Sequence, residues 1–434
     1  MKSTPPTPDG LPVLGHTHEY VRDAFDFIDR AAEAEGDAFT VRVLGSGEIT
    51  VLAHPDYFEQ ALVAEPDAFR KSDDFDLAFG EGLASVEGEQ WQRQREAMEE
   101  FFYPGRIRSY VDEMASVTAT RLDGWDDGET VSLLTQAKAL TLENLMATLF
   151  DRPLDPDGDA ELRQAVADLN LWFKPTSWVL PDAVPTPSRR RFDRAVETIQ
   201  SEARRMLDER EAEGTGDDLL STMVEQRREG AGGLSDAEIV DQVGTLLFAG
   251  HDTTALALTY GLHALSRHPD VRDRFHAELD AVLGEERPTL GDLPDLDVTE
   301  RILTEALRLY PPVHTIPRTT TRPVTVGDYR VPEGRLCHLS IYRMHRDPRF
   351  YDDPRTFRPE RWREQSPQSF GHAYTPFGAG PRSCIGRRFA LLEATLVFAM
   401  VGQRYELEPR DSLDLAPQMT TQPAGDVPVL VRDR

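Results

Sequence analysis

The sequence predicts a mainly α-helical fold with a smaller β-rich region. One observation is a long helix: Ser235 and Glu238 form a capping-box pattern, and no proline follows until Pro269. This stretch allows a helix of roughly 30 residues and ~45 Å, which would cross the whole molecule. A second helix runs from about Leu296 through LTEALRLY and ends before the paired prolines that begin at Pro311. The third observation is that short alternating apolar patterns, typical of strands, occupy only limited parts of the chain.

Two segments predict the strands. AFTVRVLGSGEITVLAH alternates around the turn Gly45-Ser46-Gly47, which predicts a β-hairpin. The same glycines do not predict a dinucleotide site, because Thr50 stands where the third glycine is needed. TRPVTVGDYRVPEGRLCHLSIYRMHRDP predicts further strands joined by turns, and the segment after FGAGPRSCIG predicts a final long helix.

The chain is strongly acidic. It has 48 basic and 76 acidic residues, a formal net charge of −28 and four lysines, Lys2, Lys71, Lys138 and Lys174. Such a surface repels nucleic acid and anionic membranes, and its self-repulsion is screened by salt. We therefore favour a salt-adapted, halophilic protein over an ordinary acidic cytosolic one.

Targeting and redox features point to the cytoplasm. The polar, Pro-rich start MKSTPPTPDGLPVLGH has neither a signal core nor a membrane-length span, so no membrane anchor is expected. Only two cysteines occur, Cys337 and Cys384, so disulfides are not expected to hold the fold. Cys337 lies in a strand-like run and is expected to be a small core residue.

The surroundings of Cys384 carry the strongest chemical signal. The segment Phe377-Gly-Ala-Gly-Pro-Arg-Ser-Cys-Ile-Gly386 immediately precedes the helical run RRFALLEATLVFAM. Free amides and the dipole at a helix N-terminus stabilise a thiolate, and the glycines let the backbone approach a flat cofactor. From these residues alone, an iron ligand, an inert buried thiol and a nucleophile with a histidine partner all stay open.

The spacing F-x-x-G-x-R-x-C-x-G is similar to the haem-binding signature of the cytochrome P450 family at every defined position. The resemblance implies a cytochrome P450 fold, with haem b between the long central helix and the loop that carries Cys384. It also implies that Cys384 is the axial iron ligand. Because further matches extend from the Pro-rich start to the final helix, residues 1–434 are expected to form a single catalytic domain.

The resemblance assigns further residues to the cofactor. Arg382 is expected to pair with a haem propionate, and a guanidinium suits a carboxylate bidentately. Trp91 and Arg95 resemble the W-x-x-x-R element that reaches propionates from a helix, and Arg318 resembles another propionate-binding position. Phe377, at the start of the signature, is expected to border the cofactor.

Three other residues resemble the structural triad of the family. Glu305 and Arg308 match its E-x-x-R motif, and Arg361 would be the third member. A helical i,i+3 pair is common by chance, so this match counts because of its place upstream of the cysteine. The triad is expected to serve the fold and not the reaction.

The segment AGHDTT, which begins at Ala249, is similar to the oxygen-activation segment of the family. Ala249 and Gly250 are expected to leave room beside O₂, and Thr253 to bond back to the helix and open a groove. Asp252 and Thr253 are then expected to relay protons to the oxygen. His251 lies one helical step away and is expected to make a structural contact.

The resemblance implies a haem-thiolate monooxygenase that inserts one atom of O₂ into a lipophilic substrate, fatty-acid-like or carotenoid/terpenoid-like. No reductase domain is seen, so a separate donor such as a ferredoxin is expected, with Arg93, Arg387 and Arg388 as a basic docking patch. A peroxide-dependent enzyme and a non-enzymatic haem-binding protein are the alternatives. The Asp252-Thr253 pair favours O₂ over peroxide, and a haem sensor would need an output domain, which is not seen.

Apolar and aromatic residues in segments that often border the pocket suggest the lipophilic substrate. They are Leu77, Phe79, Leu171, Trp172, Phe173, Trp178 and Leu180.

Overall fold

The computed structural model describes residues 3–72, 79–155, 158–173, 186–214, 216–229 and 233–434. Leu77, Trp178 and Leu180 lie outside these ranges. The helices are α1 (Thr17–Glu35), α2 (Pro55–Glu59), α3 (Gly88–Glu99), α4 (Pro104–Arg108), α5 (Val111–Leu122), α6 (Leu133–Phe150), α7 (Ala160–Asp168), α8 (Pro187–Glu213), α9 (Leu219–Glu229), α10 (Asp236–Ser266), α11 (Pro269–Val282), α12 (Asp297–Leu309), α13 (Ile341–Met344), α14 (Arg361–Glu364) and α15 (Arg387–Arg404).

The strands are fewer and shorter than the helices. They are β1 (Ala38–Val43), β2 (Gly47–Leu52), β3 (Phe69–Lys71), β4 (Thr130–Ser132), β5 (Thr315–Thr320), β6 (Val324–Val326), β7 (Tyr329–Val331), β8 (Leu336–Ser340), β9 (Tyr405–Pro409), β10 (Leu415–Pro417), β11 (Thr421–Pro423) and β12 (Pro428–Asp433). The mainly α fold with a smaller β-rich region is therefore confirmed.

The largest sheet joins strands from the first 71 residues of the chain to strands of residues 315–340. It has five strands in the order β1-β2-β8-β5-β3. β1 and β2 form the predicted antiparallel hairpin, with Val43 opposite Gly47. β2 also pairs in parallel with β8, where Ile49 lies opposite Leu336. Cys337 of β8 is fully buried, as expected, and burial raises the pKa of its thiol to about 12.

The central helix, α10, is 31 residues long and begins as predicted. Ser235 is the N-cap, and its side chain and that of Glu238 exchange the two hydrogen bonds of a capping box. Apolar residues lie on all sides of the helix and most of them are buried, which is typical of a helix that runs through a core. This position allows its middle to form one wall of an internal site.

The structural triad is confirmed. Arg308 donates to both carboxylate oxygens of Glu305, at 2.8 and 2.9 Å, and Arg361 donates to the same carboxylate at 3.0 Å. Trp362 adds a fourth hydrogen bond at 2.9 Å. Glu305 and Arg308 are completely buried, so removal of one partner would leave an uncompensated charge in the core.

Two segments differ from the sequence-based expectation. The run around Ile341 was expected to continue as strand, but Ile341–Met344 is a helical turn that the Ser340 side chain caps. The final helix was expected to end the fold, but four short strands, β9 to β12, follow it. β12 pairs with β9 and with β4, and a pairing with so distant a segment leaves no local signal in the sequence.

Candidate active site

An internal cavity of about 330 Å³ separates the central helix from the loop of residues 377–386, which we call the cysteine loop. α6 and α12 close two further sides. Most of its wall is apolar, and the exceptions include one thiol, two guanidinium groups and two hydroxyls. The residues that line the cavity include Leu145, Ala249, Gly250, Thr253, Thr254, Arg318, Phe377, Arg382 and Cys384.

Backbone contacts hold the cysteine loop in place. The Cys384 amide donates to the Phe377 carbonyl at 2.9 Å, which closes the loop just before α15 begins. Gly380 has a φ of +69°, and a Cβ there would lie 2.0 Å from the Leu62 carbonyl oxygen. Only glycine fits such a position, so the loop is set close against the segment that carries Leu62. The Cys384 side chain lines the cavity as a result.

Opposing effects act on the pKa of the Cys384 thiol. Burial raises the pKa of Cys384, while the amides of Gly386 and Arg387 and the positive charges of Arg95 and Arg387 act to lower it. The amides at the start of α15 thus favour the thiolate, as expected, but burial opposes them. A coordinating thiol is deprotonated by the metal it binds, so a cation in the cavity would supply the missing stabilisation.

Two arginines reach the cavity. Burial, and then the charge of Arg382, lower the pKa of Arg318 to about 10. Arg318 Nη1 donates to the Pro317 carbonyl at 2.8 Å, and no carboxylate of the described residues forms an ion pair with it. Arg382 is paired with Glu87 and donates to the Val86 carbonyl at 3.1 Å. Sequence reasoning missed Glu87.

Trp91 and Arg95 contact the cysteine loop. Arg95 Nη1 donates to the Ser383 carbonyl at 3.1 Å. The Trp91 ring lies 4.6 Å from the Arg382 guanidinium and 5.7 Å from that of Arg95, so it contacts two cations. The W-x-x-x-R pair thus lies beside Arg382, although neither residue lines the cavity itself.

The hydroxyl of Thr253 makes the predicted bond. It donates to the Ala249 carbonyl at 2.8 Å, and both residues line the cavity. The next residue, Thr254, bonds back in the same way to Gly250, at 3.1 Å. These bonds compete with the backbone ladder at the place where the groove was expected.

The expectation for Gly250 needs correction. A Cβ at this position would lie 2.2 Å from Leu145 Cδ1. The space that Gly250 leaves is therefore filled by a side chain of α6, and the glycine lets α6 pack closely against the central helix. Both Ala249 and Gly250 line the cavity, but a side chain on Gly250 would point toward Leu145 and not into the cavity.

The expectation that Asp252 faces the groove is wrong. Its carboxylate is fully buried, does not line the cavity and forms an ion pair with Lys138 at 2.9 Å. Asn170, Thr420 and Gln422 also donate to it, at 3.2, 2.8 and 2.9 Å. Burial alone would raise the pKa of Asp252, but the charge of Lys138 and the hydrogen bonds outweigh it, and the pKa is lowered.

Other expected pocket residues pack elsewhere. His251 is buried and its Nδ1 lies 2.6 Å from the Leu247 carbonyl oxygen, which is the structural contact predicted. Phe79, Leu171 and Trp172 were expected to border the pocket, but none lines this cavity. Phe79 and Leu171 belong to the hydrophobic core, and Trp172 packs against it.

The comparisons with known proteins identify the family. The sequence profile described as Cytochrome P450 matches residues 5–427. The chain belongs to the cytochrome P450 family. It is 34% identical to cyclooctat-9-en-7-ol 5-monooxygenase of Streptomyces melanosporofaciens over 416 residues, 94% of this chain and 90% of that protein. It is 32% identical to pentalenene oxygenase of Streptomyces avermitilis over 421 residues, 94% and 92% of the two chains.

Solved structures agree with this cytochrome P450 fold. The haem domain of cytochrome P450DA superposes with a TM-score of 0.89 at 27% identity, covering 100% of this chain and 98% of that one. A retinoic acid-bound cyanobacterial cytochrome P450 superposes with a TM-score of 0.88 at 25% identity, covering 100% of both chains. The protein is thus an oxidoreductase of the cytochrome P450 class.

The cavity of this cytochrome P450 fits the haem cofactor that the family implies. A thiol at one wall offers a ligand to iron, and apolar walls suit a porphyrin. Arg318 is a buried cation that has no carboxylate partner among the described residues, and a haem propionate would supply such a partner. Among the helices of the described residues, none is long and apolar enough to cross a membrane.

Proposed function

We propose that this cytochrome P450 is an O₂-dependent haem-thiolate monooxygenase for a lipophilic, terpenoid-like substrate. The observation that carries the proposal is that Cys384 and the Thr253–Ala249 groove line the same apolar cavity. A thiol that can bind a metal and a polar groove on a helix therefore face the same cavity. Relatives named for terpenoid compounds support the substrate class.

In this proposal the cofactor is haem b, and the Cys384 sulfur would bind its iron. Arg318 and Arg382 would hold the propionates, and Trp91 and Arg95 would support Arg382 and the cysteine loop. Phe377 and Gly250 were also expected to contact the cofactor, and both line the cavity. For Arg382, a propionate would share or replace the carboxylate of Glu87.

When bound, haem with a thiolate ligand supplies the oxidising chemistry that O₂ activation requires. The residues of the chain have simpler tasks. The apolar wall excludes water, Ala249 leaves space, and the Thr253 hydroxyl holds a proton at the cavity surface. Asp252 takes part in the relay only after its side chain leaves the pairing with Lys138.

Electrons are proposed to come from a separate donor such as a ferredoxin. Arg387 and Arg388 are exposed at the start of α15, directly after the cysteine loop. Arg93 does not belong to this patch, because it is paired with Glu238 at 2.5 Å and its charge is compensated. The proposed docking patch therefore consists of Arg387 and Arg388.

The test of the cofactor assignment is a carbon monoxide difference spectrum of the dithionite-reduced protein in high salt. We expect a Soret band near 450 nm, the red shift typical of thiolate-ligated haem, and its loss in Cys384→Ser. Absence of haem, or a band near 420 nm in folded protein, would contradict the assignment.

A peroxide-dependent reaction is the second candidate, and one observation favours it. Asp252 is turned away from the cavity, so the acid of the acid-alcohol pair is not poised to deliver protons. O₂ uptake and product formation with a reduced ferredoxin, on a panel of sesquiterpenes, diterpenes and dodecanoic acid, distinguish the two. Turnover with hydrogen peroxide but none with O₂ would select the second candidate; haem without either turnover would indicate a binding protein.

A further inference from the structure

The start of α3 places an acidic residue beside the arginines of the cavity. Glu87 is the N-cap of α3, and its carbonyl accepts the Trp91 amide at 3.3 Å, so it follows the helical register. Glu87, Trp91 and Arg95 are spaced four residues apart and therefore lie along one side of the helix. Each of them contacts the cysteine loop, at Arg382 or at the Ser383 carbonyl. We call these three residues the α3 stripe.

Two contacts hold the carboxylate of Glu87. Its Oε1 accepts the Lys71 amide of β3 at 2.7 Å, and its Oε2 is paired with Arg382. Although Glu87 is the N-cap of α3, its side chain makes no capping hydrogen bond to the helix. The Glu87 side chain is 42% exposed, whereas that of Arg382 is 17% exposed. The carboxylate is therefore directed at a cavity arginine and the strand beside it, and not at α3 itself.

The charge of Glu87 acts on both arginines that line the cavity. Burial lowers the pKa of Arg382, while the charge and hydrogen bond of Glu87, and then the charge of Asp67, oppose this effect. Burial and the charge of Arg382 lower the pKa of Arg318, and Glu87 again opposes them. Glu87 is thus the carboxylate of the described residues whose charge reaches both guanidinium groups.

In the proposed complex with haem, three cations would face three carboxylates. The cations are Arg95, Arg318 and Arg382. The carboxylates are the two propionates and Glu87. Because a guanidinium carries five N–H donors in a planar fork, Arg382 can pair with a propionate while it keeps Glu87. Removal of the Glu87 charge would leave this group with one excess positive charge beside the cofactor.

We infer, on the basis of the proposed haem-thiolate function, that Glu87 is a positioning residue that shares Arg382 with a haem propionate and lowers the reduction potential of the iron. A negative charge near the iron favours the ferric state, since reduction adds one electron. The same carboxylate competes with the propionate for the guanidinium and so weakens the hold on the cofactor. Glu87 therefore sets how strong a reductant the electron donor must be.

The first test is a spectroelectrochemical titration of the haem-loaded full chain, without substrate or O₂. Glu87→Gln keeps an oxygen that can accept the Lys71 amide and removes the charge. We expect this variant to raise the equilibrium constant for one-electron reduction about tenfold, a shift of about +59 mV. Glu48→Gln is the matched control, because Glu48 is 49% exposed, its partner Arg335 is 18% exposed, and neither residue lines the cavity. The control should keep the wild-type potential.

The second test measures the hold on the cofactor by the rate at which haem is transferred to excess apomyoglobin. We expect Glu87→Gln to slow haem loss about threefold, because Arg382 is then no longer shared. Arg382→Gln should lose haem faster than the wild type. Glu87→Gln added to Arg382→Gln should change the rate less than it does alone, because the guanidinium for which the carboxylate competes is gone.

The outcomes are distinct. If Glu87→Gln and Glu48→Gln give the same potential and the same rate of haem loss, the inference is overturned. Faster haem loss in Glu87→Gln at an unchanged potential would also overturn it, because Glu87 would then only stabilise the start of α3. A carbon monoxide band near 420 nm in the folded wild type would instead contradict the proposed function, and both measurements on Glu87 could still be made. A wild type that binds no haem would contradict both.

Discussion

At the scale of single residues, Glu393 is a carboxyl group buried without a cationic partner among the described residues. It is fully buried on α15, and Asn144 of α6 donates to its Oε1 at 2.8 Å. Among the described residues, neither Glu393 Oε2 nor Asn144 Oδ1 has a hydrogen-bond partner. A proton on Oε2 would make this oxygen a donor, which Asn144 Oδ1 lacks, and burial raises the pKa of Glu393 to about 8.

We predict that Glu393→Gln stabilises the protein on the alkaline side. The folded-state pKa is above the ordinary value of 4.5, so the wild type loses stability as pH rises from 4.5 through about 8. The glutamine keeps a donor and has no proton to lose. The stability advantage of the variant, measured by urea unfolding, should grow from pH 5 to pH 8 to on the order of 3 kcal/mol. The exposed Glu364→Gln is the control and should show no such trend.

The positions of residues that depend on near neighbours in sequence were predicted well. Cys384 and Thr253 reach the cavity because a loop closed by glycines and a bond to residue i−4 place them there. The orientation of Asp252 was not predictable, because Lys138 and Gln422 come from remote parts of the chain. Nothing in the segment AGHDTT indicates on which side of the helix a cation is available to pair with Asp252.

At the scale of elements, the close approach of α6 to the central helix depends on Gly250. We predict that Gly250→Ala destabilises the protein by about 1–3 kcal/mol, because the added methyl overlaps Leu145 and one helix must shift. Leu145→Ala alone leaves a cavity and costs about 2–5 kcal/mol. In the double variant the methyl has room, so the two costs should not add in a double-mutant cycle of urea unfolding. Additive costs would show that the two positions are independent.

The start of the central helix gives a prediction with the opposite pH dependence. Hydrogen bonds from Arg93 and the Ser235 amide outweigh burial and lower the pKa of Glu238 to about 2. A lowered folded-state pKa adds stability above the ordinary value of 4.5, and that stability is lost as pH falls through about 2. Glu238→Gln should cost about 1 kcal/mol at pH 7 and progressively less toward pH 2, by thermal unfolding. A constant cost across this range would contradict the assignment.

The helices were predicted from periodicity and caps more reliably than the strands. The central helix begins at the predicted cap, and α12 spans Asp297–Leu309, close to the predicted bounds. The C-terminal strands β9 to β12 were missed, because each is short and its pairing partners decide its conformation. The triad of Glu305, Arg308 and Arg361 was predictable only through the resemblance.

At the scale of the whole molecule, the charge of −28 dominates. Arginine forms nearly every ion pair of the described residues, and excess carboxylates stay uncompensated on the surface. We predict that the Tm rises by about 5 °C or more between 0.1 and 2 M NaCl, because salt screens the repulsion. A matched scan in sucrose controls for general co-solvent effects. A Tm independent of salt would end the hypothesis of a halophilic protein.

The parallel pairing of β2 with β8 also has a consequence for how the chain is made. Ile49 and Val51 leave the ribosome long before Leu336 and His338, the residues that lie opposite them. Until then the hairpin presents an unpaired apolar edge, the kind that invites association between nascent chains. Fragments that stop short of Ser340 should therefore aggregate. When the protein is synthesised slowly, a chaperone would have to cover the N-terminal hairpin before the residues of the active site have been made.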